Sequence, residues 1–201
     1  MSQTDLLLAS RSPRRRELLS QIGVRYELVR VDVLEERQAN EIPSVYVRRL
    51  AREKARAGFD IQESSRSSPV LGADTIVVLG EEILEKPLDE KDCEHLLESL
   101  SGRTHEVLTA ICIYSDAGVE EALCSTWVSF RELQRDEIKR YWQSGEPKDK
   151  AGGYGIQGLG ALFVKRIEGS YSNVVGLPLY ETGLMLEKLS IPFWSSYFNS
   201  N

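Results

Sequence analysis

The sequence predicts an α/β fold with a mixed sheet and flanking helices, on three observations. Strand-like and helix-like segments alternate through the first hundred residues. Pro69 to Leu79 (PVLGADTIVVL) is apolar on both faces, as a buried central strand requires. Farther on, Glu106 to Tyr114 and Ala122 to Leu133 are rich in Val, Ile, Thr and Trp. They flank a turn at Asp116-Ala117-Gly118, which predicts an antiparallel pair.

Taken in order, Asp5 to Ala9 (DLLLA) is the first strand. A helix follows through Ile22, with Ser12 as N-cap, Pro13 at the first helical position, Leu18, Leu19 and Ile22 facing the core, and Gly23 ending it. Arg25 to Val33 (RYELVRVDV) reads as a second strand leading into Glu35-Glu36. A helix over about Pro43 to Gly58 carries Val47, Leu50, Ala51 and Ala55 as its inner stripe. Ser64 to Ser68 (SSRSS) is a polar loop before the central strand. After that strand, Glu81-Glu82 turn the chain into a short partner strand, Ile83-Leu84, stopped by Lys86-Pro87. Helices are predicted at Asp89 to Leu100, Asp136 to Ser144 and Leu177 to Leu189, and a strand at Ala161 to Ile167. No repeat or long linker is apparent, and Ile191 to Asn201 is an aromatic-containing tail.

Composition narrows the function. The chain has 201 residues, is 41% hydrophobic and carries 25 basic against 31 acidic residues, a net charge of −6. That balance argues against coating nucleic acid, which wants excess positive charge. Cys93, Cys112 and Cys124 are odd in number and lie in apolar settings, as buried thiols of a reducing cytosol do. Neither a signal pattern nor a run of membrane-spanning length is present, so the expectation is a soluble, cytoplasmic protein without membrane partners.

Asp74 is the awkward residue in the central strand. Leaving water costs an ionised carboxylate several kcal/mol unless something pairs with it, so Asp74 needs a base, a metal ion or backbone donors as partner. The bland alternative is a structural Asp capping a turn beside Gly72. Elsewhere, Arg14, Arg15 and Arg16 crowd the first turn of a helix, where the macrodipole already places positive charge. Free N–H groups, the Ser10 and Ser12 hydroxyls and bidentate guanidiniums would all be satisfied by a polyphosphate. The competing reading is a solvated basic patch. Lys54 falls beside the apolar stripe of its helix, where a snorkelling stem is the ordinary explanation. Lys86, fixed before Pro87, is by itself a surface lysine. Glu35 and Glu36 follow a strand end and suit a divalent cation, which takes one or two carboxylates plus phosphate oxygens and water.

Residues 152–160 hold five glycines among nine residues. Gly153, Gly155 and Gly158 spell G-x-G-x-x-G, but a dinucleotide fingerprint follows a strand and opens a helix, whereas here a helix precedes and a strand follows. The glycines instead allow backbone to approach a ligand closely, and Gln157 can read an amide-like edge. His95 and His105, the only histidines, adjoin no nucleophile motif and are too far apart for a metal site.

Seven segments stand out together: Leu8-Ala-Ser-Arg-Ser-Pro-Arg-Arg-Arg-Glu-Leu-Leu19, Ala51-Arg-Glu-Lys-Ala55, Gly72-Ala-Asp-Thr-Ile-Val77, Glu85-Lys-Pro87, Leu100-Ser-Gly-Arg-Thr-His105, Asp149-Lys-Ala-Gly-Gly-Tyr-Gly-Ile-Gln157 and Val175-Gly-Leu-Pro178. As a set they resemble the Maf family of nucleoside triphosphate pyrophosphatases, first associated with septum formation. The match runs in order through about residues 5–190, and only two departures stand out: Arg11 where glycine is frequent, and Gly153 where alanine is.

The resemblance implies a fold like that of the inosine triphosphate pyrophosphatases. A long twisted mixed sheet would form one two-lobed domain over residues 1–190, with the active site in the cleft and the tail at 191–201 outside it. It also implies a homodimer and a divalent metal, Mg²⁺ or Mn²⁺. Glu35 and Asp74 are the expected ligands of that metal, although Asp74 cannot freely act as ligand and base at once. Asp74 would be the general base. Arg14, Thr75 and Gln157 match the branch acting on dTTP and UTP rather than 7-methyl-GTP. Ser10, Arg15, Lys54 and Lys86 would clamp the phosphates. The implied reaction is hydrolysis to the monophosphate and pyrophosphate, with house-cleaning of modified pyrimidine nucleotides as a variant. The rival is a non-enzymatic nucleotide or DNA binder that regulates septum formation.

Overall fold

A computed structural model of the protein describes residues 4–62 and 67–194. Of the loop expected at Ser64 to Ser68, residues 64–66 lie outside the described residues, as do 195–201 of the tail. The chain runs β1 (Leu6–Ala9), α1 (Pro13–Gln21), β2 (Tyr26–Leu28), α2 (Pro43–Asp60), β3 (Val70–Leu79), β4 (Glu82–Leu84), α3 (Glu90–Leu100), β5 (Thr104–Ser115), β6 (Gly118–Phe130) and α4 (Arg135–Gln143). Three 3-10 turns follow (Glu146–Asp149, Ala151–Gly153 and Leu159–Phe163), then β7 (Val164–Glu168), α5 (Tyr171–Val175) and α6 (Leu179–Lys188). Six strands are ordered β2-β1-β3-β5-β6-β7, and β4 pairs with β3 to make a seven-stranded sheet. The β1–β2 and β1–β3 ladders are parallel; β3–β4 and β6–β7 are antiparallel. The expected mixed α/β class is therefore what the chain adopts.

The contacts group into two compact units. The first comprises Met1–Asp74, Thr109–Cys124 and Gly176–Asn201; the second comprises Thr75–Leu108 and Ser125–Val175. In the first unit α2 lies on the sheet through small residues. A side chain added at Gly58 would meet Val70 and Val29 at 2.8 and 2.9 Å. At Gly72 it would lie 2.3 Å from the Ala51 carbonyl oxygen and 2.4 Å from the Ala55 nitrogen. Helix backbone therefore touches strand backbone at Gly72, and Val47, Leu50, Ala51 and Ala55 of the same helix are buried. The start of the tail belongs to this unit: Ile191 is buried, and the Trp194 N–H donates to the Ile22 carbonyl at 2.6 Å.

The second unit has an aromatic centre. His105, fully buried, stands edge-on to Phe130 and Tyr154, and its Nε2 shares a 2.8 Å hydrogen bond with the Tyr154 hydroxyl. The Asn173 side-chain amide donates to the Val107 carbonyl and the Thr126 hydroxyl at 3.0 and 2.9 Å, which fixes the short helix α5.

Several predicted boundaries move for physical reasons. The strand expected over Arg25 to Val33 keeps only Tyr26–Leu28. Its one partner, β1, ends at Ala9 and turns into α1, so residues beyond the Val29 N–H bond to the Leu8 carbonyl have no ladder to join. Ser12 is the N-cap residue of α1 but makes no side-chain cap bond. Asp89 caps α3 rather than beginning it, accepting from the Asp92 N–H at 2.9 Å. The strand expected from Ala161 starts at Val164 because Leu159–Phe163 form a 3-10 turn, and α5 was not anticipated.

Two predictions follow from these contacts. Gly72→Ala should cost about 3 kcal/mol or more in chemical denaturation, because the obstructing atoms are helix backbone. Gly183→Ala in α6, where nothing lies within 4 Å, should instead add about 0.5–1 kcal/mol. Burial also lowers the His105 pKa from 6.5 to about 4. The folded protein thus keeps His105 neutral while the unfolded chain takes up the proton, and stability falls as pH drops through that window. Between pH 6.5 and 5 the loss should be roughly 2 kcal/mol, above the range where Glu41, Glu121, Glu137 and Glu146, all held below the usual carboxylate pKa, begin to contribute. His105→Phe should flatten that slope in denaturation curves measured across the window.

Candidate active site

The first group of candidate residues sits where β1 ends and α1 begins, at the carboxyl end of a parallel strand. The Ser10 hydroxyl oxygen accepts two bonds, from the Ser12 N–H at 3.2 Å and from Arg15 Nη1 at 3.0 Å. With both lone pairs so occupied, the hydroxyl retains only its capacity to donate, which suits an acceptor such as a phosphate oxygen. Arg15 is buried, and its Nε donates to the Gly176 carbonyl at 2.8 Å, so its charge is fixed in place. Burial lowers its pKa, the Asp74 carboxylate opposes that shift most strongly, and Arg14 and Glu35 also act on it. No acidic residue in the first turn of α1 offsets Arg14, Arg15 and Arg16.

The second group is built on the close approach at Gly72. Side chains alternate along β3, so Asp74 shares the face of Gly72 that α2 covers. Lys54 of α2 meets it there: Lys54 Nζ is 2.7 Å from Asp74 Oδ1 and 2.5 Å from Glu35 Oε1. Only 12% of the Lys54 side chain and 11% of Asp74 are exposed, against 45% of Glu35, so the cluster is closed on the Asp74 side and open on the Glu35 side. Lys54 is therefore no snorkelling lysine, and Asp74 has its partner.

Sequence reasoning missed the residues that hold Glu35. The Tyr46 hydroxyl donates to the Glu35 carbonyl at 3.1 Å, and Arg49 Nη2 donates to the Glu36 carbonyl at 2.9 Å. Arg49 also grips the Glu41 carboxylate through Nε and Nη2 at 2.7 and 2.8 Å, and that carboxylate accepts from the Gln38 N–H at 3.0 Å. The segment carrying Glu35 is irregular, so no periodicity marks these partners. Glu36 contributes through its backbone.

Glu35 and Asp74 converge on the Lys54 ammonium. Among the described residues no group of three or more His, Cys, Asp or Glu side chains is arranged for a metal. A pair still suits Mg²⁺ or Mn²⁺, which completes its shell with water and substrate phosphate oxygens.

The second unit holds the remaining candidates. Thr75 follows Asp74 in β3 and lies on the opposite face of the strand, the face on which Val77 packs against Gly152. The Gly152 N–H donates to the Glu85 carbonyl at 3.0 Å, which ties the glycine-rich loop to the residue before the exposed Lys86. Gln157 is exposed in a turn closed by the Gly158 N–H on the Gly155 carbonyl, while Ile156 is buried beneath it. The close approach anticipated for the glycines is made to the protein itself: side chains added at Gly152 and Gly158 would strike Val77 and Glu146.

A family model described as Maf-like protein matches residues 5–189. The chain belongs to the Maf family. Among its relatives is the dTTP/UTP pyrophosphatase of Saccharophagus degradans, 52% identical, the match spanning 97% of this chain and 93% of that one. The dTTP/UTP pyrophosphatase of Escherichia coli O157:H7 is 51% identical over 93% of this chain and 94% of its own. Of solved structures, a nucleoside-triphosphatase / dITP/XTP pyrophosphatase from Mycobacterium abscessus aligns at 17% identity and a TM-score of 0.43, covering 98% and 99% of the two chains.

In this Maf-family chain the Lys54–Asp74 pair should be energetically coupled. A double-mutant cycle with Lys54→Met and Asp74→Asn should show a coupling of about 1–3 kcal/mol in stability, since each single change strands a partly buried charge. Additive single effects would mean that the pair contributes nothing beyond its members.

Proposed function

We propose that the chain hydrolyses dTTP and UTP at the α–β phosphoanhydride, releasing the nucleoside monophosphate and pyrophosphate. The observation that supports this best is the Glu35–Lys54–Asp74 cluster within electrostatic reach of the buried Arg15, because it gathers carboxylate and cationic groups as polyphosphate chemistry requires. The high identity to relatives named for that activity supports the choice of substrate.

In this reading Asp74 accepts the proton of the attacking water as its oxygen bonds to the α-phosphorus and the bond to the bridging oxygen breaks. Ser10, Arg15, Lys54 and Lys86 bind phosphate oxygens. Lys54 has three N–H donors, two of them directed at Glu35 and Asp74, which leaves one for substrate. Glu35 and Asp74 would hold the divalent cation, which when bound neutralises phosphate charge and eases departure of pyrophosphate. Arg14, Thr75 and Gln157 select a ring bearing O2, N3–H and O4. A wrong base there leaves polar groups unpaired, which is the strong form of discrimination. Homodimeric assembly and a cytoplasmic location belong to the same proposal, and a monomer mass in light scattering would rule out the first.

Pyrophosphate release should be measured with dTTP, UTP, CTP, 7-methyl-GTP and modified pyrimidine triphosphates in the presence of Mg²⁺. We expect dTTP and UTP to lead; equal turnover of all would sink the specificity. Asp74→Asn should lose about two orders of magnitude in kcat even at saturating metal. Glu35→Gln should raise the metal concentration for half-maximal rate at least about tenfold. Near-normal kcat in Asp74→Asn would return that residue to a structural role.

A further inference from the structure

We infer that Tyr141 and Glu146 are positioning residues for Gln157 and so help set the choice of base; this rests on the assignment of Gln157 to base selection. Three backbone N–H groups of the glycine-rich loop converge on this pair. Gly155 donates to the Tyr141 hydroxyl at 3.0 Å, Leu159 to Glu146 Oε2 at 2.8 Å and Gly160 to Glu146 Oε1 at 3.1 Å. Tyr141 in turn donates to Glu146 Oε1 at 2.8 Å, so the phenol and the carboxylate form one unit.

The glycines fit around that unit with no room to spare. A side chain at Gly158 would sit 2.2 Å from Glu146 Oε2, and one at Gly160 would sit 2.8 Å from the Tyr141 hydroxyl. Only residues 156–158 lie between the anchored Gly155 and Leu159, and Gly158 bonds back to the Gly155 carbonyl at 3.3 Å. Of these, Ile156 is buried and Gln157 is exposed at the tip. The tip cannot shift without breaking one of those bonds. Tyr141 is itself buried and packs edge-on against Phe163, so the platform is fixed from below.

A misplaced Gln157 loses the donor–acceptor match to the pyrimidine edge while the phosphate end is left alone. The role therefore appears in KM and in base preference more than in kcat. Tyr141→Phe removes one oxygen and Glu146→Gln keeps shape while weakening the grip on the loop. Each should raise KM for dTTP about tenfold with kcat within about threefold, and move the dTTP-to-CTP preference toward one. Combined with Gln157→Ala, neither should add to the effect of Gln157→Ala alone, because all three act through one contact. Calorimetry with the non-hydrolysable α,β-imido-dTTP reads binding apart from turnover and should show the same order. A folded Tyr141→Phe variant with wild-type KM, preference and analogue affinity overturns the inference, even if its melting temperature falls. Effects additive with Gln157→Ala overturn it as well. A wild-type protein that binds the analogue but turns over no triphosphate sinks the proposed function alone, and the binding comparison still decides the inference. Failure of the wild type to bind the analogue sinks both.

Discussion

Backbone contact between α2 and β3 at Gly72 is the constraint on which the candidate site depends. With any larger residue there the helix would have to lift from the strand. Because it lies flat, Lys54 one turn along from Ala51 reaches a carboxylate two residues along from Gly72. The same helix presents Tyr46 and Arg49 to the irregular segment bearing Glu35. One helix thus fixes three charges of alternating sign, and the small residues Ala51, Ala55 and Gly58 are what let it do so.

The chemistry is divided along the chain. Ser10, Arg14, Arg15, Glu35, Lys54 and Asp74 all belong to the first unit, and Thr75, Lys86 and Gln157 to the second. The chain passes from one unit to the other between Asp74 and Thr75. Neighbouring residues of a strand face opposite ways, so a single Asp-Thr dipeptide gives a carboxylate to one side of the sheet and a hydroxyl to the other. Residues assigned to proton and metal chemistry belong to the first unit. Apart from Arg14, those assigned to the base belong to the second.

Much of this was legible in the sequence, and what was not has a common cause. β3 is plain because a fully buried strand needs apolar residues on both faces, and Asp74 stood out against them. α1 and α2 carry their own boundaries in Pro13, Gly23 and Pro43. β2 was overdrawn because its alternation continues past the point where β1 leaves it, and a partner's length is not a local property. The strand expected at Ala161 failed for a similar reason: Glu146, far outside the segment, holds Leu159 and Gly160 in a tight turn. Lys54 was visible as a misfit on an apolar stripe, but its partners come from two other segments. Thr75 and Gln157 carried little signal of their own, and their assignment came from family resemblance.

The Arg15 side chain has a further consequence, for the order in which the molecule is made. Its Nε bond ends on the carbonyl of Gly176, 161 residues downstream. At a ribosomal pace of about 5–20 residues per second, that acceptor emerges roughly ten to thirty seconds after the arginine. Until then that bond cannot form, and α6, which belongs to the same unit as β1 and α1, has not been made. The second unit lies wholly within the interval, so its sequence is complete before the first unit can close. The end of α1 that carries Arg15 therefore gains its downstream contact only after the whole sequence of the second unit has been made.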